Sequence, residues 1–383
     1  MKKQTKKRKS NYFLHFAFGI LLLFPISYFL FPISTPAAEN NASTMPSQVG
    51  QVLSVETFGD ATPSRTDELK QTKQNVEIKI LTGTHKGEKI IIDNVLTGNP
   101  AYDINLKKNE KVILHVEQNQ GNPNYFVEDK YRAGGLYLLT GLFIVLLLAV
   151  GGKKGFFSLI SILTTLGLIF WVLTPLVLSG FNPVLATVLV CLLASVIAIY
   201  LVGGINAKSS SAILGTALSL IFAAILSILS IKLANLNGFA SEQYMYLASA
   251  HSDLNLLEIL ASAMIIGSLG AVMDIGMSIS STINELFSSN SKMGIKDLFL
   301  SGMNVGKDII GMMSNTLILA YLGGSLALVL LSNSIDLQKF FNLNQVAVEI
   351  SSALIGSIAI VLCVPITAII SAVLIKKAGV SRG

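Results

Sequence analysis

Six residues in the last third of the chain carry the clearest chemical pattern. Gly267, Gly270, Asp274, Ser278, Ser281 and Glu285 follow one another at steps of 3, 4, 4, 3 and 4. At about 100° per residue these steps align all six along one face of a helix. Ile265, Leu269, Val272 and Ile279 mark the opposite face. The surrounding segment is apolar enough to cross a bilayer. An ionisable group held in hydrocarbon costs several kcal/mol, so it ordinarily faces a bundle interior or a water-filled path. The chemistry available to such a carboxylate is reversible binding of a proton or cation.

Two further segments repeat the design. Asn304, Asp308, Gly311 and Asn315 follow at steps of 4, 3 and 4, with Ser314 and Thr316 beside the last. Glu349, Ser352 and Gly356 follow at steps of 3 and 4, and Thr367 continues that face beyond Pro365. Asp274, Glu285, Asp308, Asn315 and Glu349 are therefore the candidates for an ion, proton or polar-core site. Gly267, Gly270, Ser278, Ser281, Gly311, Gly356 and Gly215 are expected to be helix-packing positions. Ser211, Gly215, Ser219, Ala223 and Ser227 recur at i+4, a seam suited to close helix contact. Each acid but one also has a plain reading. Glu285 and Asp308 fall at expected span ends, where Asp308 would favour a helix N-terminus, and Glu258 and Glu349 fall at the other ends. Asp274 has no nearby end.

These stripes must be positioned by membrane helices. Of 383 residues 52% are hydrophobic and only 13% charged, and no soluble fold would keep that much apolar surface from water. This excludes a soluble enzyme and a nucleic-acid module. Apolar stretches of about 20 residues fall near 12–33, 134–151, 155–178, 182–203, 211–233, 255–283, 308–332 and 349–375, so about eight transmembrane helices are expected. The first exceeds the length of a signal-peptide apolar core and reads as a retained anchor. The small residues Ser34-Thr35-Pro36-Ala37-Ala38 leave cleavage as the alternative. Lys2, Lys3, Lys6, Lys7, Arg8 and Lys9 account for the net charge of +6. Lys153, Lys154, Lys208, Lys292, Lys296, Lys307, Lys376, Lys377 and Arg382 fall on the same expected side, with only Lys232 and Lys339 opposite. By the positive-inside rule both termini are cytoplasmic and residues 34–132 extracytoplasmic.

The domains expected are a basic tail at 1–11, the anchor at 12–33, a linker at 34–47, a β-rich domain at 48–128, a seven-helix membrane domain at 134–376 and a second tail at 377–383. Within the β-rich part, Val76, Ile78 and Ile80, and then Val112, Leu114 and Val116, alternate with polar residues, and Ile90 and Ile92 add a short run. Period two marks half-buried strands. Gly83-Thr84-His85-Lys86-Gly87 reads as a hairpin turn, and four or five strands imply a small β-barrel or open sandwich. Asn94, Asn99, Asp103 and Asn105 are assigned to turn chemistry.

Cys191 and Cys363 lie in apolar runs and read as packing residues. His251, Asp253 and Glu242 match no metal spacing. No nucleophile elbow, His-Glu-x-x-His or P-loop occurs, so no enzyme activity and no cofactor is expected.

Residues 267–279 with Glu285, residues 306–321, and Glu349 with Gly356-Ser357-Ile358 and Val364-Pro365-Ile366-Thr367 together resemble the signature of the YibE/F-like bacterial membrane proteins. Lys307 stands where that resemblance leads us to expect Arg, which would exchange a bidentate fork for a single-point ammonium. The resemblance implies a bacterial cell-membrane protein with a shared polar core of Asp274, Asp308, Asn315 and Glu349. It implies no substrate.

Two functions fit. A secondary transporter or exporter would set acids on three helices across one polar path, with Asp274 central. An accessory subunit would bind or assemble a partner protein through the β-rich domain, the stripes being inter-helix glue. The expected partners are the lipid bilayer and either further copies of the chain or another membrane protein, with no nucleic acid.

Overall fold

The computed structural model describes residues 44–58, 72–99, 101–119 and 122–380. The expected anchor at 12–33 and the two tails, save the first residues of the second, lie outside these. The chain divides into two compact units, with the boundary at Leu146 and Leu147.

The first unit holds one antiparallel sheet of five strands, β1 (Thr44–Phe58), β2 (Thr72–Ile80), β3 (Lys89–Leu96), β4 (Lys111–Asn119) and β5 (Asn122–Lys130). Their order is β3-β2-β1-β4-β5. β1 begins at Thr44, inside the segment read as linker, because its first residues pair with β4 (Thr44 with Glu117, Met45 with Val116). Bulges at Met45/Gln48 and Val52/Ser54 bend this central strand. The edge strands β3 and β5 consequently approach each other, and the sheet is an antiparallel half-barrel. Val52, Val76, Ile78, Ile80, Val112 and Leu114 fill its concave side, all fully buried. A side chain at Gly50 would meet Ile78 Cγ2 at 2.5 Å and Leu114 Cδ1 at 3.0 Å, so the core closes over bare backbone there. The β2–β3 hairpin uses positive φ at Gly83 (89°) and Gly87 (98°).

The asparagines and aspartate of this unit serve the fold. Gln74, nearly buried, donates to Asn105 Oδ1 and accepts from Asn94 Nδ2 and the Leu106 amide, each at 3.1 Å. Asp103 accepts from the Thr97 and Gly98 amides at 2.6 and 2.7 Å.

The described residues from 133 onward are mainly helical. α1 (Ala133–Leu168) is broken at Gly152, whose φ of 53° and ψ of −130° are not helical. A π-turn at Ile169–Leu173 and the short α2 (Thr174–Leu178) follow. Pro175 at the start of α2 has no amide hydrogen to give, which accounts for the local change of pitch. α3 (Pro183–Gly203), α4 (Ala207–Leu233), the short α5 (Glu242–Ala250), α6 (Leu256–Ser289), α7 (Ile295–Gly324), the short α8 (Leu326–Leu331) and α9 (Leu337–Phe341), and α10 (Asn344–Val380) complete the chain.

Among the described residues, five helices, counting 133–178 as one, are long and apolar enough to cross a membrane. α7 is long enough but too polar to count by composition. It also begins at Ile295, well before the expected 308. Asp297 accepts from the Gly294 amide at 3.3 Å and so provides the N-terminal cap. The caps of α3 and α6 join: Asn182 Nδ2 donates to Glu258 Oε2 at 2.7 Å, and Asn255 Nδ2 to Glu258 Oε1 at 3.0 Å.

α10 packs against α4, α6 and α7; α4 packs against α6, and α3 lies along α4 and α6. The interior is built from one side of α6, with Ile265, Val272, Ile275, Ile279 and Ile283 fully buried. Lipid is as apolar as these side chains, so close packing and small residues must hold the helices together.

Candidate functional site

The antiparallel pair α6 and α7 positions the two polar stripes. Its register is set by small residues of α7. Ile283 lies over Gly302 and Ile279 over Gly306, while the Tyr321 hydroxyl sits against Gly267 at the far end. Stepping from these contacts along both helices brings Ser281 level with Asn304, Ser278 with Asp308, Asp274 with Gly311 and Gly270 with Asn315. The stripes therefore run side by side in depth.

Their direction is the main correction. The sequence reading turned them toward a bundle interior or a water-filled path, and the first of these is not found. In the structure Gly267, Gly270, Asp274, Ser278 and Glu285 are exposed, Ser281 is half-buried, and Asn304, Asp308, Gly311 and Asn315 are exposed. Gly270 and Gly311, expected as packing positions, would meet nothing within 4 Å if given a side chain. Gly215, Gly356 and Gly267 do meet neighbours: Gly215 faces Thr367, Gly356 faces Leu317 and Ser268, and Gly267 faces Tyr321.

The new start of α7 also changes Asp308. It sits more than three turns inside the helix, so it cannot serve the N-terminus. Among the described residues, no salt bridge or side-chain hydrogen bond reaches Asp274, Glu285, Asp308, Asn315, Lys307 or Glu349; the salt bridges that do occur all lie between Glu77 and Arg132. Asp274 and Asp308 are thus two mid-helix carboxyls, about one turn apart in depth and without partners.

Glu349 does not join them. Ser268 lies beside Gly356 and Val272 beside Cys363, so α10 runs parallel to α6. Glu349 then stands roughly 20 Å above Asp274 along the axis. It lines a separate cavity of about 370 Å³ with Tyr321, Leu322, Val329, Phe340 and Ile350. The expected meeting of acids from three helices is not found.

The interior holds a different polar cluster, built from hydroxyls and not from acids. Ser280 Oγ lies 2.7 Å from Ser371 Oγ and 3.1 Å from Ser211 Oγ, and Ser371 Oγ is 3.0 Å from Ser211 Oγ. All three residues are fully buried, one each on α6, α10 and α4. Cys363 Sγ donates to the Val272 carbonyl at 3.5 Å, about two turns away along the same two helices. Ser280 and Ser371 carry no periodic signal that distinguishes them from neighbouring small residues. No group of three or more His, Cys, Asp or Glu side chains able to hold a metal occurs among the described residues.

The YibE/F-like protein family matches residues 139–377, and the YibE/F family N-terminal domain matches residues 44–129. The chain belongs to the YibE/F family. The second match begins at the first residue of β1, and the first covers both polar stripes and the serine cluster. No curated protein and no solved structure matches the chain.

Proposed function

We propose that this YibE/F family member is a secondary transporter or exporter of an ion or small solute, with Asp274 as its central titrating group and Asp308 beside it. The observation that carries the reading is the pair of unpartnered carboxyls, level to within a turn, on adjacent antiparallel helices deep in the chain's apolar region. A carboxylate left unpaired there is costly unless it meets water, a proton or a cation, and those are what a coupled cycle supplies.

In this reading the chain crosses the bacterial cell membrane eight times. The kink at Gly152 divides 133–178 into two spans, α7 supplies a polar span, and residues 12–33 supply the anchor. The distribution of lysines favours cytoplasmic termini and an extracytoplasmic half-barrel. The protein carries out no covalent chemistry. The test is flux into liposomes loaded with a pH dye and metal-sensitive dyes, comparing wild type with Asp274→Asn. Flux in the wild type that Asp274→Asn removes is expected. Full flux in the variant, or none in the wild type under any gradient, overturns the proposal.

One observation favours the accessory reading. The half-barrel exposes Phe58, Ile91, Tyr102 and Phe126, aromatic and aliphatic groups suited to a protein partner. Under that reading deleting residues 48–128 matters more than neutralising Asp274, and a stoichiometric partner is recovered on pull-down.

A further inference from the structure

We propose that the outward face of α7 is a two-fold seam on which a second copy of this chain packs, parallel to the first.

The face has a specific layout. Around the axis of α7, Gly302, Gly306, Met313 and Leu317 turn toward α6 and α10. Asn304, Gly311 and Asn315 lie along the opposite line, all exposed. Lys307 and Asp308 sit roughly 50° to either side of that line, one on each flank. Both are exposed, and neither has a salt-bridge partner among the described residues.

This layout is self-complementary under one symmetry. Two copies in one membrane with the same orientation are related by a two-fold axis along the bilayer normal. That axis preserves depth and sets the left flank of one helix against the right flank of its copy. Lys307 and Asp308 differ by a single residue, about 1.5 Å in depth. Each Lys307 therefore meets Asp308 of the other copy, and the pair forms twice. Residues on the central line meet their own copies. Asn304 and Asn315 are suited to that, since an asparagine amide can both donate to and accept from its twin, as a buried asparagine does in parallel coiled coils. Gly311 between them has open space where a side chain would point, which lets the two backbones approach.

A hetero-partner would need an independently matched charge pair at the same depth; the chain already carries both halves. The alternative of leaving the face in lipid strands an ammonium, a carboxylate and two amides in hydrocarbon. In the seam Asp308 is charge-paired with Lys307 of the other copy, which leaves Asp274 as the unpaired carboxyl for the proposed transport; the dimer test itself does not read flux.

The native cysteines are both buried, so an introduced cysteine reports cleanly. Gly311→Cys in native membranes should give a disulfide-linked dimer under mild oxidant, while Leu214→Cys, exposed on α4, should not. Native mass measurement of the wild type in nanodiscs should show two copies. Lys307→Asp should weaken dimerisation at least tenfold by setting like charges together, and Lys307→Asp with Asp308→Lys should restore it. A monomeric wild type, cross-linking through position 214 and not 311, a different protein captured by Gly311→Cys, or a double swap no better than the single would each overturn the seam.

Discussion

The hydroxyl of Ser280 on α6 lies 2.7 Å from that of Ser371 on α10, and Ser211 of α4 closes the triangle. Three helices are thereby joined at one point in a dry interior. Each hydroxyl can donate once, and Ser211 Oγ lies 2.8 Å from the Lys208 carbonyl as well as 3.1 Å from Ser280 Oγ, so its proton is shared between its own helix and the cluster while it accepts from Ser371. Its neighbour Gly276 lets α4 approach α6, since a side chain there would meet Thr216 Oγ1 at 2.7 Å and the Ala212 carbonyl at 3.2 Å.

Removing one member should cost little, because the other two remain bonded. Ser280→Ala is expected to lower stability by about 1 kcal/mol, the usual scale for inter-helix hydrogen bonds in membranes. The triple alanine variant should lose less than three times that amount, since no hydroxyl is left stranded. Thermal unfolding in detergent would check both, and strict additivity would show that the ring does not act as a unit.

Gly306 and Gly311 share a helix but face opposite ways. A side chain at Gly306 runs into Val364. Gly306→Leu should therefore push α7 off α10 and destabilise the fold by about 1–3 kcal/mol, the range for overpacked interiors. Gly311→Leu meets open space and should leave the melting temperature of a detergent-dispersed monomer unchanged. Equal losses in the two variants would contradict the orientation of α7.

Asp274→Asn should not lower the melting temperature. The carboxyl has no partner to lose among the described residues, and neutralising it removes a charge from an apolar setting. A drop of several degrees would mean that Asp274 is structural. That outcome would separate a folding defect from loss of flux.

The half-barrel should weaken in acid. The Arg132 guanidinium, then the Lys130 amide, hold the Asp129 carboxyl below its ordinary value. Partial burial pulls Glu110 up, but the Lys130 ammonium at 3.0 Å and the Lys107 amide outweigh it and hold it low. Both groups are depressed in the fold, so their stabilisation is fully present above the unfolded carboxylate values near pH 4 and is lost as pH falls through the folded ones. Melting of the amide I β-band in the intact protein should shift down between about pH 5 and pH 2. Glu110→Gln should shift it down at pH 7 and flatten the slope.

Much of the fold was legible from the residues. The alternation at Val76–Ile78–Ile80 and Val112–Leu114–Val116 located β2 and β4, because one buried face forces period two. β1 was not legible at its start. Thr44–Ser47 is polar and proline-bearing, and only pairing with β4 makes it a strand. The apolar cores of α3, α4, α6 and α10 were evident from length. The start of α7 was missed because Lys296 and Asp297 look like loop residues until Asp297 is seen capping the helix.

The sequence by itself determined that Asp274, Ser278 and Glu285 share one helix face, and that Asn304, Asp308, Gly311 and Asn315 share another. The helical repeat alone requires this. Only the tertiary structure decided which way those faces point. In water, polarity tells outside from inside; in lipid, Ile and Val suit both the core and the bilayer, so periodicity carries no sign. Packing chose the Ile265–Val272–Ile279 side of α6 for the interior and sealed it with three serines. The acids were left on the outer face, without a partner inside the fold.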